Sequence, residues 1–351
     1  MSLRVRVREE VPGRGRRSTS LLLVHRTPTS LVLALAALLA VVIAGCGSDS
    51  SGSPGGSKPP APAKAADFPQ PGNKTLAQLK QEIGKQGPVL APAVSQLQPG
   101  TARFGFALFD RARAQIADAP VVLYTAPKGG GKVRGPIPAR WESLAVKPQF
   151  QSRSVASDPD AAKAVYVADL KFARPGAYDV LAVARLDKRL VAADAPAGLL
   201  QVTDTGKVPN VGDKAPVIDT PTKAQVGDVK KIDTRLPPSN LHEQNFKDVV
   251  GKKPVILIFA TPALCQSRVC GPVVDIAEQL KTERGKDADF IHQEIYKDNQ
   301  INKGFRPQVR TYHLPTEPWV FAIDRRGRVA ARLEGPYSVA ELEKAVDAAV
   351  K

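Results

Sequence analysis

An uninterrupted apolar run constrains the fold of the C-terminal part of this chain. Residues 255–260 read VILIFA, and a strand that is apolar on both sides belongs in a sheet covered on both faces. Around this run the pattern alternates between helix and strand, which predicts an α/β domain over 206–351. We predict helices near 241–250, from about 266 to 284 and near 308–313. A last helix should begin at a capping box formed by Ser338 and Glu341 and run to the end of the chain. Further strands are predicted at 289–295, 319–324 and 329–335.

Two cysteines follow this strand in the segment TPALCQSRVCGPVV, residues 261–274. If Cys265 and Cys270 both lay inside one helix, about 7.5 Å of rise and about 140° of rotation would separate them. A disulfide needs Cα atoms closer than about 7 Å and converging side chains. We therefore expect Cys265 to lie in the loop before the helix, with Ser267 as the N-cap, or the first turn to unwind when the bond forms.

Three features together resemble a thioredoxin-like domain of the redoxin type. They are the sequence VGDKAP at 211–216, the cysteine pair between central strand and helix, and Pro318, which directly precedes a strand. The family places a cis-proline there, facing its active-site cysteines. The resemblance implies thiol–disulfide exchange, with Cys265 attacking, Cys270 resolving and Pro318 helping to bind the partner peptide.

The chain also departs from the thioredoxin pattern. Its cysteines have four residues between them instead of two, and Leu264 stands where a tryptophan is usual. Ile258 lies about where the family has a buried acid, so we expect the second thiol to lack that proton relay. The start of the helix should still lower a thiol pKa. Arg268 either adds to this effect or is a solvated surface residue.

Other functions stay open for the same cysteine pair. A non-catalytic lipoprotein would use the disulfide as a structural cross-link and bind a partner through its domains. Cu(I) handling would use both thiolates with His313, and a thiol peroxidase is suggested by a Thr-Pro pair before the cysteines, beginning at Thr261. The alternative for each of His242, His292 and His313 is a structural or surface role. The primary interpretation requires no cofactor and no metal.

The N-terminus predicts where the protein acts. An Arg-rich segment and a short apolar stretch at 1–45 have the form of a signal peptide, and the ending Ile-Ala-Gly-Cys resembles a bacterial lipobox. We therefore expect lipidation at Cys46, a flexible Gly/Ser/Pro tether over 46–74, and a location on the outer face of the cell membrane. Disulfides persist in that compartment, so the expected partners are thiols or disulfides of envelope proteins.

Residues 75–205 have a different pattern. After a short helix at 75–85, apolar runs alternate with Gly, Pro and Asp turns, which predicts a β-sandwich. The piece ARPGAYDVLAVA, residues 173–184, resembles the last strands of bacterial immunoglobulin-like domains. This region contains no histidine and no cysteine, so we expect no catalytic residue in it.

The basic charge does not predict nucleic-acid binding. The formal net charge is +16, of which seven arginines and two glutamates before residue 46 contribute +5. The remaining charge is scattered, without long Lys/Arg runs or interleaved aromatic residues. We expect a solvated basic surface near anionic lipid.

Overall fold

The computed structural model describes residues 59–84, 87–193 and 195–351. All of them lie in one unit that runs from Ser53 to Lys351. The predicted signal peptide, the lipidated Cys46 and the first part of the tether lie outside the described residues. Within the described ranges, none of the helices has the length and apolar character needed to cross a bilayer.

Ten strands of the described region form two antiparallel sheets between residues 89 and 202. Their bounds are β1 (Val89–Pro92), β2 (Gly100–Phe109), β3 (Gln115–Ile116), β4 (Val121–Pro127), β5 (Arg134–Pro138), β6 (Arg140–Ser143), β7 (Ala164–Phe172), β8 (Gly176–Leu186), β9 (Arg189–Ala193) and β10 (Leu200–Val202). The first sheet has the order β1-β2-β7-β6, with β3 also pairing with β2. The second has the order β10-β8-β4-β5, with β9 paired to β8.

The two sheets face each other across a shared core. Phe104 and Phe106 from the first sheet pack with Val121, Leu123 and Ala182 from the second, and all five are fully buried. Alternation along β2 and β8 explains this, because every second side chain points to the same face of a sheet. The fold here is a β-sandwich, and its immunoglobulin-like topology remains a prediction.

The first helix, α1 (Leu76–Ile83), begins at a capping box formed by Thr75 and Gln78. It buries Leu79 against the outer face of the second sheet, together with Phe68. The Tyr124 hydroxyl donates to the Pro69 carbonyl at 2.7 Å. Residues 68–69 therefore pack on the sandwich, and the prediction of a free tether reaching to residue 74 is wrong for this part.

In the residues described, the C-terminal part contains a four-stranded mixed sheet and five α-helices, and the sandwich contributes a sixth helix that packs beside them. The strands are β11 (Val255–Phe259), β12 (Asp289–Gln293), β13 (Trp319–Ile323) and β14 (Val329–Glu334). The helices are α2 (Arg153–Ser157, contributed by the sandwich), α3 (Lys223–Val226), α4 (Phe246–Val249), α5 (Cys270–Arg284), α6 (Pro307–Thr311) and α7 (Val339–Val350). The strand order is β12-β11-β13-β14. β11 is parallel to β12 and antiparallel to β13, and β13 is antiparallel to β14.

Both faces of β11 are covered, as its apolar run predicts. Ile256 and Ile258 lie in the core that contains α5 and α7. Leu257 and Phe259 lie in a second core on the opposite face, with Tyr312. The predicted order of elements is confirmed, and so is the capping box that starts α7, where the Ser338 hydroxyl accepts from the backbone N–H of Glu341.

The start of α5 differs from the prediction. The helix begins at Cys270, four residues later than expected, and Val269 occupies the N-cap position without a side-chain hydrogen bond. Arg268, just before it, has a left-handed backbone with φ 57°, which interrupts helical geometry. Ser267 is therefore not the N-cap. The expectation that Cys265 lies in the loop before the helix is confirmed.

The sandwich and the C-terminal sheet share one hydrophobic core. Val165 and Val167 of the first sandwich sheet pack in the same cluster as Val273 and Ala277 of α5. Burial of these side chains from both parts stabilises their association, since removing apolar surface from water contributes about 25 cal/mol per Å². Helices α5 and α7 are consequently enclosed between two sheets.

Buried polar contacts fix the register of this interface. Arg235 Nε donates to Asp275 Oδ1 at 2.7 Å, and the backbone N–H of Ser152 donates to Asp275 Oδ2 at 2.8 Å. The Arg103 guanidinium makes two hydrogen bonds to the Glu341 carboxylate, both at 2.8 Å. The Ser152–Asp275 and Arg103–Glu341 contacts join the sandwich to the C-terminal part across 123 and 238 positions of the chain, and Arg235, 40 positions from Asp275, supports the first of them.

The buried pair Arg235–Asp275 generates a prediction about stability. Arg235→Met leaves the Asp275 carboxylate buried without its counter-charge, which should lower the free energy of unfolding by about 3–5 kcal/mol. Urea unfolding followed by tryptophan fluorescence measures the change. As the matched control, Arg140→Met breaks an exposed pair with Asp169 and should cost under about 1 kcal/mol. Equal losses in the two variants would contradict the assignment.

Candidate active site

Cys265 and Cys270 lie on either side of the start of α5. Cys265 is in the loop that follows β11, and Cys270 is the first residue of the helix. Both are free thiols, and their sulfurs and a carboxylate oxygen of Glu317 all lie within 4.8 Å of one another. Cys265 is 7% exposed and Cys270 is 0% exposed, so Cys265 is the sulfur that a partner reaches first.

The two thiols have opposite acid–base properties. Hydrogen bonds from the Cys270 thiol, the Ser267 hydroxyl and the backbone N–H groups of Cys270 and Val269 lower the pKa of Cys265 to about 6, against the effect of burial. Burial raises the pKa of Cys270 well above its usual range, and the neighbouring Cys265 raises it further. Near neutral pH the pair therefore holds one thiolate, on Cys265.

Glu317 supplies a carboxylate beside the pair that the sequence analysis missed. Its Oε2 accepts a hydrogen bond from the Cys270 thiol at 3.5 Å and one from the backbone N–H of Thr261 at 2.9 Å. Burial and the negative charge on Cys265 raise the pKa of Glu317 to about 8. The expectation that the second thiol lacks a carboxylate, based on Ile258, is wrong, because the acid comes from the loop before β13 and not from β11.

Pro318 follows Glu317 directly, and the peptide bond between them is cis, as the resemblance implies. Pro318 is buried at the start of β13, and its carbonyl accepts from the backbone N–H of Gly335 at 2.9 Å. It lines the same cleft as residues 266–269 of the cysteine loop. The structure thus brings the three residues expected at the site, Cys265, Cys270 and Pro318, to one place. A possible sequence signal for Glu317 was its position next to the expected cis-proline.

Arg268 does not act on the thiols in this structure. Its guanidinium donates to Asp158 of the sandwich at 2.6 Å, and its carbonyl accepts from the backbone N–H of Ala162 at 3.2 Å. A Cβ on Gly271 would approach Val155 to 2.7 Å, so only glycine allows the start of α5 to pack this closely on the sandwich. The sandwich loop around 155–162 therefore holds the cysteine loop in position.

The histidines lie elsewhere. His313 is exposed and is not one of the residues whose donor atoms converge on the thiols, which in the described region are Cys265, Cys270 and Glu317. The site therefore brings two sulfurs and a carboxylate together without the imidazole on which the Cu(I) interpretation depended.

His242 and His292 flank a buried aspartate behind the site. His242 Nε2 lies 3.1 Å from Asp233 Oδ2, and His292 Nε2 donates to the Ala260 carbonyl at 2.9 Å. Burial alone would lower the pKa of His292, but the Asp233 carboxylate raises it to about 8. These three residues also have donor atoms within 4.8 Å of one another. They tie the end of β11 to β12 and to the segment before α4, consistent with the structural roles expected for both histidines.

No protein-family model and no curated protein matches this chain. Among solved structures, a putative thiol:disulfide interchange protein DsbE from Chlorobium tepidum aligns with 22% identity over 41% of this chain and 99% of its own, at a TM-score of 0.31. A thioredoxin-family thiol:disulfide interchange protein from Chlorobium tepidum TLS aligns with 16% identity over 39% and 100% of the two chains, at a TM-score of 0.26.

Values this low leave the fold assignment to the chain's own geometry. The order β12-β11-β13-β14, the cysteine pair between β11 and α5, and the cis Glu317–Pro318 bond before β13 are all present. The C-terminal part therefore has the cysteine position and the cis-proline that the resemblance to thioredoxin-like domains implies.

The lowered pKa of Cys265 predicts its reactivity with pH. Because the thiolate is the nucleophile, alkylation of Cys265 by iodoacetamide, followed by mass spectrometry, should rise with a midpoint near pH 6 and fall away as the pH drops below it. Ser267→Ala removes one hydrogen bond to the sulfur and should move the midpoint upward, by less than about one pH unit. Ser157→Ala, which removes a hydroxyl from the cleft that Cys265 lines, should leave the midpoint of alkylation unchanged. A midpoint above pH 8 in the unmodified protein would contradict the assignment.

Proposed function

We propose that this protein is a lipid-anchored, extracytoplasmic thiol–disulfide exchange protein that acts through Cys265 and Cys270. The observation that supports it most is the division of roles between the two sulfurs. One is a stabilised thiolate that lines a cleft and is 7% exposed, and the other is a fully buried thiol beside the Glu317 carboxyl group. Anchoring through Cys46 and action on envelope proteins belong to the same proposal.

The exchange proceeds in two balanced steps. The Cys265 thiolate attacks one sulfur of a partner disulfide, the partner S–S bond breaks, and the other partner sulfur leaves as a thiolate. Cys270 then loses its proton, attacks Cys265 Sγ and releases the second partner sulfur. The pair is oxidised to a disulfide by two electrons, and the partner disulfide is reduced to two thiols. The reverse sequence oxidises a partner dithiol.

Glu317 accepts the Cys270 proton in this scheme. While Cys265 is a thiolate, burial and the negative charge on Cys265 together keep the pKa of Glu317 near 8, so the carboxyl group is mostly protonated at neutral pH. Formation of the mixed disulfide removes that charge, which lowers the Glu317 pKa and frees the carboxylate to act as a base. The base therefore becomes available at the step that requires it.

The redox properties of the pair test the proposal. An exchange protein should show a reduction potential above about −300 mV, whereas a structural cross-link lies below that value. Cys270→Ser should trap a mixed disulfide with partner proteins of the envelope, detectable by mass spectrometry, and Cys265→Ser should trap none. A potential below that limit, together with no trapped partner, would favour the non-catalytic interpretation instead.

Replacing Glu317 should slow one step selectively. In Glu317→Gln the attack of Cys265 on a disulfide persists, but resolution by Cys270 should slow by about 100-fold, because a positioned base is lost. Quenched-flow experiments with an acid quench would show that the mixed disulfide accumulates. Glu317→Asp should restore part of the rate, and Glu243→Gln, at an exposed position, should have no effect. Equal slowing of both steps would argue that Glu317 only supports the structure.

A further inference from the structure

Two adjoining clefts open at the cysteine loop, and the sandwich forms part of both. The first, of about 670 Å³, is lined by Cys265 and by residues 154–161 of the sandwich. The second, of about 1100 Å³, runs from Gln266 past Glu317 and Pro318 to β1 and β2 of the sandwich. Both are lined by Pro159, Ala161, Gln266 and Arg268, so the two clefts meet at the Arg268–Asp158 contact.

The sandwich wall of the larger cleft continues the surface on which α5 packs. Val165 belongs both to the buried core shared with α5 and to the lining of the cleft. Beyond it the wall is formed largely by small apolar side chains, including Ala91, Ala107 and Ala117. The apolar sheet face that is covered by helices elsewhere is thus left open beside the thiols. Walls of alanine leave room for a polypeptide main chain with small side chains.

The rim of this cleft is basic. Arg113 and Lys163 line it, both are exposed, and neither side chain makes an ion pair within the described residues. Arg268 is already paired with Asp158, and the acids that line the cleft are Asp160 at the rim and Glu317 beside the thiols. Opposite charges on a partner favour its approach and orientation at such a rim.

We propose that the larger cleft binds an extended polypeptide segment of the partner protein, with small side chains next to its cysteine and acidic residues flanking them. The sandwich then acts as half of the substrate site and not as a spacer. This inference rests on the proposed function, since the cysteine of the segment would extend past Gln266 into the adjoining smaller cleft, which Cys265 lines. Main-chain contacts with the loop at Pro318 and apolar contacts with the sandwich wall would hold the segment on both sides.

Binding can be measured without thiol chemistry. The probe is a fluorescent peptide of alanine and serine that is flanked by glutamates and has serine at the position of the partner's cysteine. The protein used carries Cys265→Ser and Cys270→Ser. Fluorescence anisotropy at low salt should show that the acidic peptide binds. A matched peptide with lysines in place of the glutamates should bind about fivefold more weakly. Arg113→Glu with Lys163→Glu should abolish that preference. Lys171→Glu with Lys188→Glu, at exposed positions of the sandwich outside the cleft, should preserve it.

A kinetic comparison separates the cleft from the chemistry. Ala107→Trp places a large side chain at the wall of the larger cleft and should slow reduction of a disulfide-linked form of the acidic peptide by about tenfold. Reduction of hydroxyethyl disulfide should be unchanged. An unchanged melting temperature is the control for folding. Equal binding of the acidic and basic peptides, or equal slowing of both disulfides, would overturn the cleft assignment. Failure to reduce hydroxyethyl disulfide at all would refute the exchange function, while the binding measurement would still decide on the cleft.

Discussion

The hydrogen bonds from the start of α5 to the Cys265 sulfur are the interaction on which the site depends. They exist because the helix begins at Cys270, so that the backbone N–H groups of Val269 and Cys270 have no intrahelical acceptor and point toward the preceding loop. Had the helix started at Gln266, Cys265 would be its N-cap, and the N–H groups of Val269 and Cys270 would donate to carbonyls within the helix instead of to the sulfur. The position of one helix boundary therefore makes one sulfur a thiolate and leaves the other, buried in the helix, a thiol.

The sandwich contributes to that boundary. Asp158 pairs with Arg268, Ala162 donates to the Arg268 carbonyl, and Val155 packs where a side chain on Gly271 would stand. These contacts hold the left-handed turn that separates loop from helix. The two parts also share a hydrophobic core and the partly buried ion pair between Arg103 and Glu341. The thiol site is consequently a property of the whole unit, and the cysteine loop would lose its support if the sandwich were removed.

The protonation states of the three titratable groups at the site depend on one another. Cys265, Cys270 and Glu317 lie within 4.8 Å of one another, so a negative charge on one raises the pKa of the other two. The N–H donors favour the charge on Cys265. When that sulfur enters a mixed disulfide, its negative charge leaves with the departing partner sulfur, and Cys270 can then lose its proton more easily. Protonation thus follows the redox state of the pair, which is the property that a thiol-exchange site requires.

The sequence by itself determined the local features. The apolar run of β11 required cover on both faces, the spacing of the cysteines required Cys265 to lie outside the helix, and the pattern at Ser338 defined the start of α7. These follow from periodicity and capping within a few residues. Tertiary structure decided the rest: Glu317 meets Cys270 across 47 positions and Arg268 meets Asp158 across 110. Such contacts depend on which faces of distant elements pack together, and no local pattern specifies that packing.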